Sequence, residues 1–198
     1  MLLTEEILLL KLGFEVPQVW EETQLLRVID ELGELGVRLA SQISDKKPRI
    51  AISCIKSLGM EAVDRNMTEG VLDAAVSLGL VGQEAARNRD NNLVLESALA
   101  LRALGMRLVS NDLLIPLLLV AISLKEVGKE AARNRMEKEV ILSQDFLKDI
   151  HTLFEGSKDN FETLNQEFSF LIRDIGKCCK GAGLEKAAIN ARVLFDTF

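Results

Sequence analysis

Apolar residues between Thr68 and Asn88 recur in steps of three and four, at Val71, Leu72, Ala75, Val76, Leu78, Gly79 and Gly82. That spacing covers one face of an α-helix, and no proline interrupts it. Short turns bound it and its neighbours: Asn66-Met67, Arg89-Asp90-Asn91, Ser110-Asn111 and Arg135-Met136. Thr68, followed by Glu69, is the expected N-cap, and Asn88 the expected left-handed residue after the C-terminus. Asp112 is expected to start the next helix, with Pro116 in or just past its first turn, where loss of an N–H is tolerated. Pro48, after Ser44 and Asp45, and Pro17, ahead of Trp20, read as two further helix starts. Helices of about 19 residues joined by such short turns must run antiparallel to their neighbours.

The pattern is periodic. Glycine recurs at Gly13, Gly36, Gly59, Gly82, Gly105 and Gly128, each step being 23 residues. The next slot holds His151, the sole histidine. The register glycine after it, Gly176, comes two residues late, which places an insertion around Gly156-Ser157-Lys158-Asp159. The residue before each register glycine is apolar: Leu12, Leu35, Leu58, Val81, Leu104, Val127 and Ile175, with Ile150 keeping that place before His151. Glu84 to Arg89 recurs letter for letter as Glu130 to Arg135, 46 residues on, and Leu58-Gly59-Met60 recurs as Leu104-Gly105-Met106 at the same spacing. The repeating unit is therefore a pair of helices. A glycine late inside a helix costs about 1 kcal/mol relative to alanine, so seven of them in one register need a compensating contact. Close helix approach supplies it; contact of these backbones with a ligand is the less economical reading.

Paired helices of this length resemble HEAT or armadillo repeats. Asp112 to Leu119 resembles the first helix of a HEAT repeat, and Glu96 to Gly105 and Ile50 to Gly59 resemble the second. The resemblance spans Pro17 to Ile150. It implies an all-α fold, an α–α superhelix or solenoid of about eight antiparallel helices with a two-helix repeat. Residues 1–198 are expected to form one helical-repeat domain, regular over 13–150 and closed by a divergent cap over 151–198. That cap is rich in phenylalanine, with seven of the eight lying beyond residue 145. Both ends are apolar, with Leu2, Leu3, Ile7, Leu8 and Leu9 at one and Val193, Leu194, Phe195 and Phe198 at the other. Solenoid ends normally carry a polar outer face, so fold-back, self-association into a homo-oligomer and a longer array all stay open.

Composition narrows the setting. Hydrophobic residues make up 48% and charged residues 27%, the profile of a folded chain rather than a disordered tail. The strongest apolar run, Leu113 to Ile122, is broken by Pro116 and falls short of the roughly 18 residues that cross a bilayer. Glu5 and Glu6 in the first ten residues, without a basic stretch ahead of them, argue against a secretory signal. Cys54, Cys178 and Cys179 form no disulfide framework, so a reducing, cytoplasmic setting is expected. The net charge of −6 disfavours a nucleic-acid partner.

No phosphate loop, dinucleotide fingerprint, nucleophile elbow or metal-spaced Cys/His cluster occurs, so no catalytic, cofactor or metal residues are assigned. His151 fills a packing slot and reads as structural, Cys178-Cys179 as small core residues, and Glu5-Glu6 and Glu21-Glu22 as solvated surface. Two charge patterns repeat. Lys56, Arg102 and Lys148 are spaced by 46 and would align as a basic ladder, suited to an acidic peptide or to a solvated stripe. Arg87, Arg89, Arg133 and Arg135 would cluster on one rim, where the helix dipole and Glu84 and Glu130 explain much of their placement. The expected function is a non-enzymatic scaffold binding a protein, with an acidic surface, through one face of the superhelix. The alternative is nucleic-acid or other anion binding through the arginine rim. A third follows from the resemblance alone, since some HEAT-like proteins are lyases acting on protein-bound chromophores.

Overall fold

The computed structural model of the protein describes residues 22–41, 47–111, 113–154 and 161–197. Among them are eight helices and no strand: α1 (Glu22–Ala40), α2 (Lys47–Asp64), α3 (Thr68–Arg87), α4 (Asn91–Ser110), α5 (Leu114–Arg133), α6 (Glu137–Phe154), α7 (Phe161–Ala182) and α8 (Glu185–Phe195). The helix opened by Pro17, the helix-start residue Asp112 and the insertion at 156–159 lie outside the described residues, and Leu113 is the N-cap of α5. Pro48 and Pro116 sit in the first turns of α2 and α5, where they break no hydrogen bond. Each helix packs against the next and against the one after that. Odd-numbered helices therefore form one row and even-numbered helices a second. One apolar core, from Leu25 to Leu194, lies between the rows.

The glycine register explains the spacing of both rows. Gly36, Gly59, Gly82, Gly105 and Gly128 are buried inside helices. Each faces a small or β-branched residue of the next helix, fifteen positions on: Ala51, Ala74, Ser97, Val120 and Ser143. At all five, an added Cβ would come within 3.4 Å of that residue or of the helix beyond. From the next-but-one helix comes the apolar residue that precedes that helix's own register position: Val81, Leu104, Val127, Ile150 and Ile175. The glycine is a socket and the preceding residue is the knob for the socket one repeat earlier. The last step is two residues longer than the others, so α7 keeps the register across the insertion. At 151 the socket is gone. His151 is buried there, its Nε2 bonded to Asn165 Oδ1 and its ring tilted 56° to Phe168 at 5.4 Å. A ring pair thus fills the space that a glycine and a small residue share elsewhere.

The turns correct two expectations. Asn88 is not left-handed: its φ is −86°, and its amide donates to the carbonyls of Glu84 at 3.0 Å and Ala40 at 3.1 Å. The left-handed residue is the next one, and Asn66, Arg89, Arg135 and Gly183 hold this same place with φ of 57°, 55°, 59° and 73°. In each turn two backbone bonds close a Schellman motif, as in Arg135 N to Ala132 O at 3.0 Å and Met136 N to Ala131 O at 2.9 Å. The residue after the left-handed one then caps the next helix, so Met67, not Thr68, is the N-cap of α3. Asp90 at the equivalent place of α4 accepts from Leu93 N at 3.0 Å. A left-handed arginine is strained where glycine is not. Arg135→Gly is expected to raise stability by about 0.5–1 kcal/mol in urea unfolding.

Candidate interaction surfaces

The basic ladder falls on the even row. Lys56 is half-buried on α2, Arg102 half-buried on α4 and Lys148 exposed on α6, each three residues before a register slot. Arg102 is engaged. Its Nε donates to Asp149 Oδ2 of α6 at 2.8 Å, and its guanidinium lies 5.4 Å from the Phe146 ring centre. The cation thus bridges neighbouring helices of its row, beside the Gly105 socket that Ile150 fills. Arg49 and Glu96 (3.2 Å) and Arg107 and Asp64 (2.7 Å) tie the row in the same way.

The arginine rim divides into two kinds of residue. Arg87 pairs with Glu84 at 3.0 Å and Glu130 at 3.5 Å, and Arg133 with Glu130 at 2.7 Å. Arg89 and Arg135, at the turns, line a cleft of about 590 Å³ that also holds Glu137, Lys138 and Glu139. The rim is therefore a mixed-charge surface, with half of its cations committed to glutamates.

Lysines and acids knit α5 to α7. Lys129 Nζ lies 2.9 Å from Asp174 and 3.5 Å from Glu126, and Lys125 Nζ 2.8 Å from Glu126 and 3.8 Å from Asp174. The bond from Lys129 holds the Asp174 carboxyl below its ordinary range. Burial works to raise Glu126, but Lys125 and Lys129 leave it lowered on balance. A carboxylate whose folded value is depressed contributes stability above its unfolded pKa and loses it as pH falls through the folded one. Asp174→Asn should therefore unfold with a shallower dependence on pH than wild type below about pH 4, as read by thermal melts across that range.

The odd row carries a feature that the charge patterns did not reveal. Val76 on α3, Ile122 on α5 and Phe170 on α7 occupy one register position once the insertion is counted, and they are 49%, 39% and 51% exposed. Leu80, one turn on from Val76, is exposed as well. Between α1 and α3 a cleft of about 550 Å³ joins this apolar line to three acids, Asp30, Glu34 and Asp73, and one cation, Arg38. Asp73 is pushed above its usual range by burial first, then by Glu69 and Asp30. The signal was present in the sequence as apolar residues 46 apart, but an amphipathic face is read as buried until packing shows which part of it is covered.

Among the described residues no buried side-chain nitrogen or oxygen lacks a hydrogen-bond partner. Gln144 illustrates this on α6, donating to Ala187 O at 3.1 Å and accepting from Asn190 Nδ2 at 2.9 Å. Glu137 Oε1 accepts from the backbone of Lys186 at 3.0 Å, so α6 pins the start of α8. Burial pushes the thiols of Cys54 and Cys179 up, Cys179 to about 11, consistent with packing rather than reactivity.

Comparison with solved structures finds a protein described as the DHF46 filament, with TM-score 0.71 and 15% identity, covering 88% of this chain and 96% of the other. The fold is that of a helical-repeat protein. No protein-family model matches the sequence, and no curated protein matches it. The structural likeness carries the architecture and no HEAT or armadillo membership. No helix among the described residues is long and apolar enough to cross a membrane.

Proposed function

We propose that the chain is a non-enzymatic scaffold, a HEAT- or armadillo-like α–α superhelix that binds another protein along its odd-helix row. The observation that carries this reading is the line of exposed Val76, Ile122 and Phe170 at one repeat position. Neighbouring helices of a packed row stand about 8–10 Å apart, so the three side chains form an evenly spaced apolar rail. Such a rail is costly to leave in water and suits a partner segment with matching apolar side chains. At one end Asp30, Glu34 and Asp73 outnumber Arg38, an excess of acid that favours basic residues flanking that segment. The unpaired cysteines fit a reducing, cytoplasmic setting. Assembly of copies is the second reading, and the likeness to a protein described as a filament favours it.

The expected partner contact thus lies on the odd row, not on the Lys56/Arg102/Lys148 side, where Arg102 is already paired. Anion binding through the rim is left with Arg89 and Arg135, which share their cleft with Glu137 and Glu139. A photo-crosslinking residue placed at 122, with a control at 148, tests this in cells that make the protein. A defined adduct at 122 that is absent at 148, and lost on adding Phe170→Glu, is expected. Adducts at 148 alone would transfer the function to the ladder, and a salt-sensitive gel shift abolished by Arg89→Glu would transfer it to the rim.

A further inference from the structure

The socket at Gly176 on α7 is unlike the five before it. An added Cβ there would meet only Ala191 of the next helix, at 3.0 Å, and no described residue stands where Ile175 stands over Gly128. A cavity of about 460 Å³ opens at this place, lined by Gly176, Ala191 and Phe195, by the cations Arg173, Lys177, Lys180 and Arg192, and by one acid, Asp196. Ile189 and Val193 of α8, 63% and 58% exposed, carry on the apolar surface.

The charges around this socket match those of the preceding one in the same row. Gly128 is flanked by Lys125 and Lys129, three positions before and one after, and Gly176 by Arg173 and Lys177 at the same offsets. At Gly128 the knob is Ile175, and the residue before it, Asp174, meets both lysines. An acid followed by an aliphatic residue on one helix therefore satisfies a glycine socket with two flanking cations. The even row repeats the device in part, with Asp149-Ile150 meeting Arg102 and Gly105. Around Gly176, Lys177, Lys180 and Arg192 are exposed and form no ion pair with a described residue, and Arg173 stacks on Phe170 at 4.8 Å.

We infer that the open face of α7 and α8 docks an amphipathic helix of a partner protein, one that presents an acidic residue immediately followed by leucine, isoleucine or valine. The aliphatic side chain fills the Gly176 socket and the carboxylate lies between Arg173 and Lys177. This deepens the scaffold reading by adding a second surface with its own partner chemistry, on different residues from the apolar rail. A second copy of this chain fits the face less well in a symmetric pairing, because four cations, offset by the single acid Asp196, would then oppose a face of the same net charge.

A labelled synthetic peptide with the sequence Phe161–Ala182, the natural occupant of the preceding socket, tests the inference by fluorescence anisotropy against the full chain under reducing conditions. Saturable binding is expected, weakened about tenfold or more by Lys177→Glu in the protein. Asp174→Lys in the peptide should weaken it similarly, and the two changes together should restore it. Absence of binding, or binding that ignores Lys177→Glu, overturns the inference. So does sensitivity to Lys129→Glu in place of Lys177→Glu, which would mean that the peptide displaces α7. Concentration-dependent self-association abolished by Lys177→Glu would assign the face to a second copy instead. Each of these outcomes leaves the crosslinking result at 122 unchanged, so failure here is distinct from failure of the scaffold reading.

Discussion

Replacing Ile150 by alanine is expected to destabilise the protein by about 2–5 kcal/mol, the range for truncating a fully buried aliphatic side chain. Ile150 is completely buried and is the knob over Gly105, its Cδ1 only 2.7 Å from where a Cβ on that glycine would lie. Truncation leaves a cavity on both sides, because the glycine contributes no atoms to fill it. The same geometry predicts a coupling. Gly105→Ala alone forces the end of Ile150 aside, whereas Ile150→Val alone removes that end and leaves a gap. Combined, the two changes put a methyl where a methyl was lost, so the double variant should be about 1 kcal/mol more stable than the sum of the singles. Urea unfolding of the four proteins measures this directly. Strict additivity would show that glycine and knob do not share one space.

The periodic glycines make this packing legible in the sequence, since a costly residue kept in register implies close approach. What they could not reveal was which residue fills each socket. Ile150 and Gly105 are 45 positions apart, a pairing that appears only once helices are known to contact their next-but-one neighbours. The pairing of Arg102 is hidden in the sequence for the same reason: its partner Asp149 belongs to the following repeat. At the turns, residue preference pointed to Asn88, yet the Schellman geometry puts Arg89 in the left-handed place. Backbone hydrogen bonds outweigh the preference there. The apolar rail is hidden in the sequence because Val76 and Ile122 look like ordinary members of a buried face, and the insertion shifts Phe170 out of simple register. Periodicity was readable from one repeat at a time; contacts between repeats required the stack.

The strictest test of the socket is a glycine whose neighbour cannot move. At Gly59 an added Cβ would lie 2.8 Å from Ala74 Cβ and 3.3 Å from Leu104 Cδ1. Leucine can change rotamer, but an alanine Cβ is fixed to its backbone, so α2 and α3 would have to separate. Gly59→Val should therefore cost about 3 kcal/mol or more, despite removing a helix-weakening glycine. Gly181 supplies the contrast. It lies in the last turn of α7 with nothing within 4 Å of an added Cβ, so Gly181→Ala should stabilise by up to about 1 kcal/mol. Opposite signs at two helical glycines, read by thermal unfolding under identical conditions, separate packing from propensity. If Gly59→Val were neutral, the helices would not be held together by the missing side chain, and the sockets would lose their role in setting the repeat.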